Sequence, residues 1–473
     1  MAGTLVESIA NLAVEASSDD LPLAVADEVK RQLLDTIGCA LGAGDEPKGR
    51  AGVNYGRILG GTDTTATIIG HSDRSSVFGA AFANGELMNA TNFDPVLPPG
   101  HVSTYVIPAA LATAEQLKSS GPKLISALAV AHELTYRVGK AMDYFRDVEN
   151  GEVALSKVLG YSATIFGATA AVGHLKAFST RVMADAIAIA ANISLVNSHR
   201  SFIAHAPSAT IKALLAGALT QSAYTAAYMA ELGHRGDLQV LDDADVGYRR
   251  FIGSQRWEPD AIRDRLGEDW RFVAEQSYKP YPHCRVLHGL LDVLIDVVTT
   301  HDIAVDEIDE IRAWGEGVIQ QPLWLATEIE RTHDAQYSIA HGLAVGAHRI
   351  EPSTAWLDPD LVFSESVLSL MKRVEFAPHP DYARIVAQSP GSRPSRIEVH
   401  ARGRVFRGDG LVPKGTPSDD PVTRMTTDEL VDKFFRNARG VLTDDDAVGV
   451  ANSILNLESV DDVSAVLGRL ARR

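Results

Sequence analysis

The sequence predicts a mainly α protein: a large all-helical domain built from N- and C-terminal parts, with a smaller α+β domain between them. Three observations carry this. Apolar residues recur at helical spacing through the first half, alternating strand-like pieces replace that texture near residue 270, and helical patterns return after the polar loop 413–421.

Residues 21–42, LPLAVADEVKRQLLDTIGCALG, place Val29, Leu33, Ile37 and Leu41 four residues apart. Asp19-Asp20-Leu21-Pro22 precedes them, and Gly42 and Gly44 follow, so the segment has start and stop signals of an amphipathic helix. Helical patterns recur over 105–118, 122–139, 161–176 and 181–198, and over the alanine-rich 209–232, where small side chains permit close helix approach. Strands are predicted over Ile308–Gly315, Arg373–Phe376 and Arg396–Phe406, where Ile397, Val399 and Ala401 alternate with Glu398, His400 and Arg402. Helices over 284–300 and 334–347 separate them. After 413–421, helical patterns over 426–438, 444–457 and 460–471 could pack back onto the first part. The expected division is therefore 1–270 with 406–473 as the helical domain, and 271–405 as the smaller one. No internal repeat or low-complexity tract interrupts it.

At 473 residues, 45% hydrophobic and 22% charged, the chain can bury a core without covalent staples. A net charge of -17 argues against nucleic acid or an anionic membrane as partner, so an anionic substrate needs a local cluster of cations. The N-terminal stretch MAGTLVESIANLAVEASSDDLP has no basic region followed by an apolar leader, and no membrane-length apolar run occurs; a cytoplasmic location is expected. The two cysteines, Cys39 and Cys284, have no metal spacing and make no disulfide framework. GxGxxG at a strand–helix junction, GxxxxGK[ST], GxSxG and HExxH are all absent, which disfavours nucleotide cofactors, serine hydrolysis and a zinc site.

Two strings stand out on their residues alone. In 278-YKPYPHCRVLH-288, Pro280 and Pro282 stiffen a segment carrying Lys279, Tyr281, His283, Arg285 and His288. This reads as an anion pocket at a helix start, with a solvated loop as the plainer alternative. In 89-NATNFDPVLPPGHVS-103, the Pro98-Pro99-Gly100 turn separates one carboxylate, Asp94, from one imidazole, His101. Lys212, at the start of the alanine-rich segment, has small or apolar neighbours that would desolvate it and lower its pKa; an exposed lysine is the alternative. His341, among apolar residues of 335–347, is either a satisfied core histidine or a proton-transfer group. Glu133 and Arg137 sit at i,i+4 and read as a structural pair.

Taken together, 33-LLDTIGCALGAG-44, 84-NGELMNATNFD-94, 101-HVSTYVIPAALATAE-115, the Lys212–Gly233 segment, 279-KPYPHCRVLH-288 and 334-DAQYSIAHGLA-344 resemble the MmgE/PrpD family over nearly the whole chain. That family includes 2-methylcitrate dehydratases, cis-aconitate decarboxylases and iminodisuccinate epimerases. The resemblance implies a helical domain from both chain ends, an α+β lid, an active site between them, a homodimer, no metal or organic cofactor, and a small di- or tricarboxylate substrate. Lys212, Lys279, His101 and His288 match the family's residue types. Asn89, Asn92 and Pro95 stand where the family has a histidine and two acids, leaving Asp94 alone. No histidine stands near Val158–Gly160, and His341 replaces a common tyrosine.

The resemblance and its departures give one expectation: a cofactor-independent, dehydratase-like lyase acting on a small polycarboxylate or hydroxy acid. His101 and Lys212 would be base and acid in either order, with Asp94 and His341 as further proton-handling groups. Asn92, Lys279, Tyr281, Arg285 and His288 would bind substrate. An epimerase using two proton-transfer groups is the first rival and a non-catalytic carboxylate binder the second; the missing histidine near Val158 puts decarboxylation behind these.

Overall fold

The computed structural model describes every residue except 1–2, 45, 144–147, 150–151, 154–157, 197–198, 213, 390, 419 and 473. Two hydrophobic cores organise it. The larger draws on residues between Leu5 and Phe272 and again between Phe434 and Leu470, so the C-terminal helices complete the helical part begun at the N-terminus. Its helices are α1 (Leu5–Glu15), α2 (Leu23–Leu41), α3 (Pro47–Gly60), α4 (Val77–Ala90), α5 (Val102–Leu117), α6 (Gly121–Ala141), α7 (Thr164–Leu175), α8 (Thr180–Asn192) and α9 (Ala216–Glu231). The smaller core runs from Phe202 to Phe406 and includes α10 (His288–Thr300) and α11 (Ile339–Ala347). Beyond it, α12 (Thr427–Ala438) and α13 (Asp444–Leu455) return to the larger core.

The smaller core holds a four-stranded sheet of β1 (Ile308–Gly315), β2 (Val374–Pro378), β3 (Ser395–Ala401) and β4 (Arg404–Gly410) in the order β2-β1-β3-β4. The β1–β2 pair is parallel and the others antiparallel. Ile397, Val399 and Ala401 point into the core, as their alternation predicts. The stretch 396–406, read as one strand, is instead a hairpin: Arg402 and Gly403 both take positive φ, 55° and 66°, which closes a two-residue turn.

Three helix boundaries also differ from the sequence reading. The pattern at 181–198 ends as a helix at Asn192, and residues 197–198 lie outside those described. The helix expected from 209 starts at Ala216, because Lys212 sits in a turn at φ 52°; Ala213 is outside the described residues. The pattern over 334–347 breaks at Gln336, and α11 begins anew where the Ser338 side chain accepts from the His341 amide.

Helices α3 and α4 approach unusually closely. A side-chain carbon at Gly52 would lie 2.3 Å from Glu86 Cβ, and one at Gly56 would lie 2.5 Å from the Gly79 carbonyl. Only glycine at these positions lets the two helices touch backbone to backbone, and that contact brings Lys48 of α3 to α4's C-terminal end.

Candidate active site

The site is assembled around the residues that follow α4. The last carbonyls of a helix have no partner within it and carry the negative end of its dipole, so cationic donors are favoured there. Lys212 Nζ donates to the Asn89 carbonyl at 3.0 Å and Gln336 Nε2 to that of Ala90 at 3.0 Å. Lys279 Nζ donates to both the carbonyl and the side-chain oxygen of Asn92, each at 2.7 Å, and Lys433 Nζ donates to the Phe93 carbonyl at 2.7 Å. Lys48 Nζ reaches Asn89 Oδ1 at 2.7 Å. Asn92 itself is left-handed, at φ 53°, like Lys212. Such conformations cost on the order of 1 kcal/mol and persist where surrounding contacts hold them.

The chain then turns back. Val96 and Ser277 exchange two backbone hydrogen bonds of 2.8 Å, which fastens this segment to the one leading into Lys279. Leu97 and Gly100 exchange another pair across Pro98-Pro99, a cis peptide, and deliver His101 to the N-terminus of α5. His101 makes no helix cap; its Nδ1 lies 2.6 Å from Asp94 Oδ2. Its ring stacks on that of Tyr161 at 6.4 Å. A carbon side chain at Gly100 would collide with the Tyr161 hydroxyl at 2.2 Å, so glycine is needed for that stacking.

Burial pushes the Asp94 carboxyl up, yet His101, Lys279 and Lys212 outweigh it and hold the group well below the usual carboxylate range. For His101, burial and the two ammoniums push down and Asp94 only partly offsets them, leaving about 4. The imidazole is therefore neutral at pH 7. It donates Nδ1–H to an ionised Asp94 and keeps the Nε2 lone pair, which is the arrangement of a general base. Asp94 is fully buried, whereas the His101 side chain keeps 17% of its surface exposed. Burial, then Lys48 and Lys279, depress Lys212 far below an ordinary lysine; burial also depresses Lys279 and Lys48. Lys48, Lys212 and Lys279 face two carboxylates, Asp94 and Glu86, and an anion bound among them would favour their charged forms.

Of the residues expected from the sequence, the structure brings together Asp94, His101, Asn92, Lys212 and Lys279. The others make contacts of their own, though the Lys279 charge still reaches His288. Arg285 donates to the Lys414 carbonyl and the Thr416 hydroxyl, and burial with Arg393 nearby lowers it to about 9. Tyr281 donates to Asp292 at 2.8 Å and stacks on Trp356. His288 is paired through Nε2 with the His283 carbonyl and is held neutral by burial. His341 faces the Val362 carbonyl at 3.2 Å, and burial lowers it to about 4. These four belong to the packing of the smaller core and its loop 413–416.

Sequence reasoning missed Lys48, Lys433 and Gln336, and passed over Tyr161 and His199. Tyr161 and His199 rings lie 6.0 Å apart, and His101 contributes to the lowering of His199 after burial and Arg200. Among the described residues no group of histidines, cysteines and carboxylates is arranged to hold a metal ion, and no helix is long and apolar enough to cross a membrane.

The family model of the MmgE/PrpD N-terminal domain matches residues 7–260, and that of the MmgE/PrpD C-terminal domain matches residues 281–458. The chain belongs to the MmgE/PrpD family. A cis-aconitate decarboxylase-like protein, oryM, of Aspergillus oryzae is 25% identical over 503 residues, covering 99% of this chain and 98% of the relative. Human cis-aconitate decarboxylase is 24% identical over 463 residues, 93% of this chain and 89% of its own. Membership of the MmgE/PrpD family, with relatives of these names, supports a lyase-type enzyme. Within the MmgE/PrpD matches, Asn92, Asp94, His101 and Lys212 fall in the N-terminal part, while Lys279 falls between the two.

Proposed function

We propose that the protein is a lyase that removes a proton from a carbon next to a carboxylate of a small polycarboxylate or hydroxy acid and then expels water. The observation that carries this is the Asp94–His101 pair at 2.6 Å, backed by two buried lysines. In this reading Lys212 and Lys279 receive the substrate carboxylate and stabilise the charge that develops on it. His101 Nε2 takes the carbon-bound proton, and Asp94 stabilises the imidazolium. The C–O bond then breaks, and the departing hydroxide takes a proton from a lysine ammonium, which a lowered pKa makes a better acid. Asn92 cannot transfer a proton and binds substrate instead. The chain's own residues perform each step.

Decarboxylation is a second reading, supported by the names of both relatives and by His199, which supplies a histidine near His101 where 158–160 has none. One experiment separates the readings. The purified protein is incubated in D2O with citrate, 2-methylcitrate, cis-aconitate and hydroxy and amino dicarboxylates, and followed by proton NMR and carbon dioxide release. New vinyl signals without carbon dioxide are expected. Carbon dioxide with deuterium at the vacated carbon selects decarboxylation, and deuterium with inversion and no alkene overturns both in favour of an epimerase.

A further inference from the structure

A cavity of about 920 Å³, lined by none of Asp94, His101, Lys212 and Lys279, meets the 89–94 segment at Thr91. Two buried side chains line it with polar atoms that no described residue satisfies: Thr91 Oγ1, and both Oδ1 and Nδ2 of Asn437, whose residues are 0% and 3% exposed. A buried polar group left unbonded costs about 1–3 kcal/mol, so the wall of this cavity carries an unmet hydrogen-bonding demand. The charge at the rim points to what that is. Arg50, Arg331, Arg439 and Arg472 are exposed around the opening, and Arg436, half-buried, is paired with Glu351 at 3.2 Å. Glu46, Glu330 and Asp358 are the carboxylates among the lining residues. Glu46 is pushed up to about 7 by burial and offsets the guanidiniums incompletely near neutral pH. In a chain of net charge -17, this concentration of arginine is a local exception. Guanidinium groups match carboxylate and phosphate in a two-pronged geometry, and the volume suits a metabolite-sized ligand.

We infer that this cavity is a second binding site, separate from the His101 cluster, for a small molecule carrying two or more anionic groups, phosphate or carboxylate. The inference does not rest on the proposed reaction. Its floor residue, Thr91, adjoins Asn92. The helix α3 that starts at its wall also carries Lys48 to Asn89, so occupancy bears on the 89–94 segment.

Titration calorimetry at low salt with pyrophosphate, citrate and ATP tests it. At least one probe should bind with a dissociation constant under about 1 mM. Affinity should fall at least about tenfold in the Arg50→Glu/Arg331→Glu double variant, whose sites are exposed, and in Asn437→Leu, and should be unchanged in Lys212→Ala. Preference for pyrophosphate or for citrate assigns phosphate or carboxylate within the proposal. Absence of binding by all three probes overturns it, and so does binding lost in Lys212→Ala but kept in the arginine variant, which would put the anion in the His101 cluster.

Discussion

Asp94 has one oxygen on His101 Nδ1, while the other has no partner among the described residues. An amide at this position would keep the shape but could present its NH2 to Nδ1 and favour the wrong imidazole tautomer. Asp94→Asn should therefore lower turnover by about 10²–10⁴-fold with little change in folding, measured as kcat against thermal stability. The pH profile is a second readout at the same residue. A base with a folded value of about 4 is fully unprotonated above pH 5, so kcat/KM should show no inflection near the ordinary histidine value of 6.5. Lys279 is one of the groups pushing His101 down. Lys279→Gln removes that push, so an acid limb should rise towards 6.5, whatever happens to KM. A wild-type limb at 6.5 would mean that burial and the two lysines do not hold His101 down.

At the scale of elements, the 89–94 segment is held by helices distant in sequence. Lys433 of α12 donates to the Phe93 and Lys279 carbonyls at 2.7 and 3.0 Å and lies 2.7 Å from Asp35 of α2. Burial pushes the Asp35 carboxyl up even against this partner. Lys433→Met would strand a buried acid and free two carbonyls, and should cost about 3–5 kcal/mol in urea denaturation, with Asp35→Leu added to it recovering part. None of this was legible beforehand. Lys433 and Lys48 are single lysines in amphipathic segments with no motif around them, and only tertiary packing, including the glycine contact of α3 with α4, carries them inward. His101, Asp94, Lys212 and Lys279 were legible because proline-stiffened or apolar surroundings set them apart. The same cue picked out Tyr281, Arg285 and His288, whose side chains bond to Asp292 of α10, the loop 413–416 and the His283 carbonyl. Lys212 was found for its desolvated neighbours although the helix expected there begins four residues later; a left-handed lysine leaves no trace in hydrophobic periodicity.

Across the whole molecule, the helical class was legible because start signals and apolar spacing agree over most of the larger core. Its electrostatic consequence was not, because burial of histidines depends on the finished fold. Burial lowers His101, His132 and His341 to about 4 and His199, His283 and His333 to about 3, and lowers His174 and His288 as well. Each has an ordinary value of 6.5 when the chain unfolds. Between these values the unfolded chain binds protons that the folded one refuses, so stability is full above about pH 7 and falls as pH drops through 6.5 towards 4. Each histidine contributes a slope of about 1.4 kcal/mol per pH unit in that window. Glu28, Asp35, Glu46 and Asp292, raised mainly by burial, act in the opposite sense, since the folded state takes their protons first. These eight imidazoles, with His379 also lowered by burial, outnumber the four carboxyls, so unfolding takes up protons. Urea midpoints should accordingly decline steadily from about pH 7.5 to about pH 5, with the steepest loss below 6. Equal midpoints at the two ends would mean that these imidazoles take up protons in the fold as readily as in the unfolded chain, and that His101 is not held down by its surroundings.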